Sequence, residues 1–182
     1  MPHRFSLLLG SFAVACAIAL PAGVADAAPK DRQFFESVSG AWSGPGEIVA
    51  GKYKGTKFNC NLTGEPVEGA EAGIKLGGTC RVGVFSQPMN AVISMKGGAY
   101  SGQFLDGAEG KGLDIISGQV NGDKVVMGIN RAKLNGAMVA SIEDEKAMNV
   151  TISVKVEDRM IPVIGLRLNR QVDQLAVGSI KK

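Results

Sequence analysis

The side chains that most often do chemistry are sparse along this chain. Its single histidine is His3, close to the start. Everything after it lacks an imidazole, so neither a Ser-His-Asp nor a Cys-His nucleophile can be assembled there. Haem ligation by histidine and most zinc sites are excluded with them. Carboxylates remain. Glu143, Asp144 and Glu145 cluster in IEDEKA, which reads as a solvated hairpin tip. Asp106, Glu109 and Asp114 place oxygen ligands among glycines in LDGAEGKGLD, but the spacing matches no calcium loop. Gly44-Pro45-Gly46 lacks the strand-then-helix setting of a phosphate loop. No catalytic residue, metal or cofactor is expected, and the chain is read as non-enzymatic.

Cysteine usage depends on the compartment. Residues 1–27 have the parts of a secretory signal: Arg4, the apolar run FSLLLGSFAVACAIAL, the breakers Pro21 and Gly23, and the small-x-small site Ala25-Asp26-Ala27. Cleavage after Ala27 would deliver residues 28–182 to the periplasm or the medium. A lipidated Cys16 is the competing reading of the same segment. No later stretch is long and apolar enough for a membrane-spanning helix. Beyond the signal two cysteines remain, Cys60 and Cys80. An even count in an oxidising compartment predicts one disulfide between them.

The net charge is +3. The densest basic spot is Lys52, Lys54 and Lys57 around Tyr53, too short a stripe for nucleic acid. Binding of an apolar small molecule is easier to argue. Met89, Met95, Met127, Met138, Met148 and Met160 are adaptable side chains suited to an irregular apolar lining.

These residues need a scaffold. Residues 31–38, DRQFFESV, predict a short helical turn capped by Asp31, with Phe34, Phe35 and Val38 on one face. Strands are then predicted at 41–49, 57–64, 73–85, 89–96, 99–105, 112–121, 123–130, 135–143, 146–157 and 160–170. Between them lie turn sequences such as EGAEAG, SQP, DGAEGKG and EDE, and Asn121-Gly122 signals a two-residue hairpin. In MNVTISVKV the residues Met148, Val150, Ile152, Val154 and Val156 alternate with polar ones, the mark of a strand with one wet face. Helical crossovers are absent, so the strands form an antiparallel meander. The expectation is an all-β fold with about 8–10 strands closed into an up-and-down barrel, one domain spanning 28–182. Met127, Met138, Met148, Val150, Ile152 and Val154 are the candidates for lining its interior.

Gly40-Ala41-Trp42, after the helical turn and opening the first strand, resembles the start of calycin-superfamily barrels: lipocalins, fatty-acid-binding proteins, avidins and small bacterial metalloprotease inhibitors. The resemblance implies that Trp42 closes one barrel end beneath an Arg or Lys from a late strand. Arg167 and Arg170 are available, and parity favours Arg170, which shares a face with Ile164, Leu166 and Leu168. It also implies an exported, non-catalytic barrel that binds a lipid-like or other apolar or amphipathic molecule. The inhibitor branch, which shares Ser39-Gly40-x-Trp42, implies the alternative of an envelope protein partner, with residues 28–39 entering a protease cleft.

Overall fold

Short runs of alternating inward and outward residues, punctuated by turns, favour a continuous antiparallel sheet. The computed structural model describes residues 27–105, 113–132 and 134–172. The signal segment 1–26 with Cys16, most of the glycine-rich loop with Asp106 and Glu109, and the closing Lys181-Lys182 lie outside the described residues. Helix α1 spans Ala27–Val38. Ten strands follow: β1 Gly40–Ile48, β2 Lys57–Pro66, β3 Ala72–Val82, β4 Phe85–Lys96, β5 Ala99–Leu105, β6 Leu113–Asn121, β7 Lys124–Arg131, β8 Leu134–Glu143, β9 Ala147–Val156 and β10 Arg159–Arg170. Each strand pairs with the next, and β1 pairs with β10 to close the barrel. Closure gives every strand a neighbour on both sides.

Three boundaries differ from expectation, each for a local reason. The predicted 73–85 strand is split by a turn at Gly83 and Val84, and the Ser86-Gln87-Pro88 expected as a turn belongs to β4. Gly83 takes φ +57°, which a tight hairpin needs and glycine supplies without strain. Among the described residues, pairing of β4 with β5 begins at Asn90, so Pro88 has no described ladder partner on that side. The β6–β7 turn falls at Gly122-Asp123, one residue later than expected, since Asn121 and Lys124 form the last pair. The helix is longer than one turn. Asp31 lies in its interior, buried at 7% exposure, and is not its cap. Ala28, Asp31, Phe34, Phe35 and Val38 recur at helical spacing and supply the buried stripe, while Pro29 is tolerated in the first turn.

Helix α1 packs chiefly on β3, with lesser contact to β2 and β6. It plugs the end of the barrel where β1 starts and β10 finishes, and its Phe34, Phe35 and Val38 join the core. Cys60 and Cys80 face each other across β2 and β3 and form a disulfide at a sequence separation of 20. That loop restricts the unfolded chain by about 3 kcal/mol on the loop-entropy account.

Candidate functional site

The plugged end is fixed by one arginine. Trp42 and Arg170 are register partners in β1 and β10. The guanidinium carbon lies 4.3 Å from the indole ring centroid, within the cation–π range. Trp42 is 1% exposed and donates its Nε1–H to the Val38 carbonyl at 2.8 Å. Arg170 donates from Nη1 to the Ser39 carbonyl at 2.7 Å, from Nη2 to the Ser37 carbonyl, and from Nε to the Glu145 carbonyl at 2.9 Å. It therefore satisfies carbonyls at the C-terminal end of α1, where a helix leaves acceptors unpaired and favours positive charge. Gly40 makes room for it: φ is +110°, and a Cβ there would sit 3.1 Å from Arg170 Nη1. Arg167 points outward, 3.1 Å from Glu143 in an exposed ion pair that contributes little.

A second tie has no local signal in the sequence. Tyr100 on β5 donates its hydroxyl to Asp31 Oδ2 at 2.5 Å, across 69 residues. Burial first, then the hydrogen bond to the Asp31 carboxylate and its negative charge, raise the Tyr100 hydroxyl well above the ordinary 10.0. The folded state thus favours the protonated phenol. That contribution is complete below about pH 10 and is lost as the pH rises above it, where the unfolded tyrosine ionises first. The urea midpoint of the wild type will fall more steeply above about pH 10 than that of Tyr100→Phe. Near neutrality the same substitution leaves a buried carboxylate without its donor and costs about 1–3 kcal/mol.

Above this floor the barrel is hollow. The cavity has a volume of about 540 Å³, within the range of small-molecule sites. Its floor is Phe34, Phe35, Val38 and Trp42, and its walls include Ile74, Ile93, Val125, Ile129 and Leu166. Met138, Met148, Val150, Ile152 and Val154 line it as well. Met127 does not. It is inward but fully buried at 0% exposure, register partner of Gly118 and Met138, at the level of Tyr100. A Cβ at position 118 would come within 2.6 Å of Met127 Sδ and of the Tyr100 ring, so Met127 is packed against Tyr100 over Gly118. Met89 lines the cavity, Met95 is core, and Met160 is exposed.

Polar side chains reach the cavity at Gln87 and Arg131. Both belong to the end of the barrel away from α1: Gln87 just after the 83–84 turn, Arg131 at the end of β7. Asn135, near the start of β8, borders the opening from the outer face, where its Oδ1 accepts from Asn130 Nδ2 at 2.7 Å. The site thus grades from dry aromatic floor to polar mouth. Among the described residues no group of three or more His, Cys, Asp or Glu could hold a metal ion, and no helix is long and apolar enough to cross a membrane.

No protein-family model matches this chain, and no curated protein matches it. Five chains of solved structures do. The crystal structure of Rv2717c from M. tuberculosis aligns with a TM-score of 0.54 at 12% identity, covering 77% of this chain and 96% of that one. At that identity the likeness is one of fold, a small barrel.

Proposed function

We propose that this chain is an exported, calycin-like barrel that binds one amphipathic small molecule with a large apolar body, and that it does no chemistry on it. The observation that carries this reading is the cavity of about 540 Å³, walled by aliphatic and aromatic side chains, with Gln87 and Arg131 confined to the mouth. An apolar body placed against the floor would leave water, at about 25 cal/mol per Å² buried. A polar or anionic head would remain at the mouth, near Gln87 and Arg131. The signal-like residues 1–27 and the disulfide support the periplasm or the medium as the place of work.

The alternative expectation, residues 28–39 acting in a protease cleft, has no observation in its favour. Phe34, Phe35 and Val38 are buried in the barrel end, and the carbonyls of Ser37 and Ser39 are held by Arg170.

A solvatochromic amphipathic anion, such as an anilinonaphthalene sulfonate, tests the proposal. Titration into the purified protein should give a saturable one-site increase in emission with a blue shift, competed by long-chain fatty acids. Emission that never saturates, or that no fatty acid displaces, would contradict it.

A further inference from the structure

The mouth of the barrel is built differently from its plugged end. The 83–84 hairpin carries Val84 at 92% exposure and Phe85 at 78%, with Val82 beside them. On the same rim, Tyr53 stands on the 49–56 connection, and Leu134 and Val156 end their strands exposed. Elsewhere exposed apolar side chains such as Val92, Ile116 and Val126 stand apart on the outer wall. Apolar side chains gathered at one end of a molecule mark an interaction surface.

Charge leans the same way. Lys52, Lys54, Lys57, Arg81, Lys155 and Arg159 surround the mouth, against Glu47, Asp114, Glu157 and Asp158. The opposite end mixes both signs: Glu65, Glu68, Glu71, Glu143, Asp144 and Glu145 stand among Lys30, Arg32, Lys75, Lys96, Lys124 and Lys146. Lys52 Nζ lies 5.5 Å from the centroid of the Tyr53 ring, so an apolar ring and a cation share one tip. The apolar groups project from hairpin tips and do not form a groove. A fluid surface accepts such tips without a preformed complement, and basic groups around them favour an anionic one.

We infer that the mouth of the barrel docks on an anionic lipid bilayer, with Val84 and Phe85 entering the boundary between headgroups and acyl chains and Lys52, Lys54 and Arg81 meeting lipid phosphates. The inference deepens the proposed function and takes its purpose from it. Docking would turn the cavity opening toward the acyl layer, so that an apolar body could move between bilayer and barrel without crossing water.

Co-sedimentation of the exported protein, as purified, with phosphatidylglycerol–phosphatidylcholine vesicles tests the inference. Binding is expected to anionic vesicles and not to phosphatidylcholine alone. It should be released at about 1 M salt, where the screening length falls to about 3 Å. The double variant Val84→Asp, Phe85→Ser should lose at least about tenfold in partitioning, and Lys52→Glu, Lys54→Glu a comparable amount. Both variants change exposed tips and should keep the solvatochromic titration in solution, which separates this inference from the cavity reading. Binding that ignores headgroup charge or the tip substitutions overturns it. So does a protein that ignores vesicles and instead forms a dimer broken by the same double substitution.

Discussion

Trp42→Ala will lower the unfolding free energy by about 3–5 kcal/mol, the range for truncating a fully buried aromatic. The indole is a junction as well as core. It packs under the Arg170 guanidinium, donates to the last carbonyl of α1, and forms part of the cavity floor. Removing it leaves a void, an unpaired acceptor and a cation without its ring. Arg170→Met should cost about 2–4 kcal/mol, because carbonyls at the end of α1 and at Glu145 lose a charged donor together. The two losses will not add, since each substitution breaks the shared contact. Trp42 is the single tryptophan, so urea unfolding is best followed by circular dichroism in both variants. A loss below about 1 kcal/mol for Trp42→Ala would mean that the plug is not held as described.

Val150→Trp, Ile152→Trp will abolish binding of the amphipathic anion while leaving the barrel folded. Both residues lie on β9, two apart, and both line the cavity. Two indoles projecting from the same wall would take up much of a space of about 540 Å³. The substitutions fill existing space, so the overpacking cost stays within about 1–3 kcal/mol. Affinity should fall by more than about tenfold, equivalent to about 1.4 kcal/mol, with the unfolding transition still cooperative. Full retention of binding would place the ligand outside the barrel.

Most strands were legible because alternation and turn chemistry agree along most of the chain. The exception is instructive. The 83–84 turn sits in Val82-Gly83-Val84-Phe85, where apolar neighbours hide the one glycine that makes the turn, while Ser86-Gln87-Pro88 carries the usual turn residues without turning. The parity that puts Arg170 inside holds because the bulge between Pro162 and Ile164 lies upstream of the residues used for counting. Met127 shows the limit of the same logic. Alternation tells which side of the sheet a residue faces, and it carries no information on how tightly its neighbours close around it. Here Gly118 opposite Met127 lets the Tyr100 ring pack against the thioether. The Asp31–Tyr100 tie was illegible because it joins a helix to a strand 69 residues away, and a helical Asp looks like a cap until the helix start is known. Gln87 and Arg131 gave no motif, because they share one opening only when the barrel closes.

The central claim is that the hollow of this barrel is a binding site. Native mass spectrometry of protein taken from its export compartment, without refolding or detergent, tests it most directly. The account predicts a second species heavier by the mass of one amphipathic molecule, released by organic solvent and missing from Val150→Trp, Ile152→Trp. A single ligand-free mass, in a protein that also takes up no fatty acid when offered one, would contradict it.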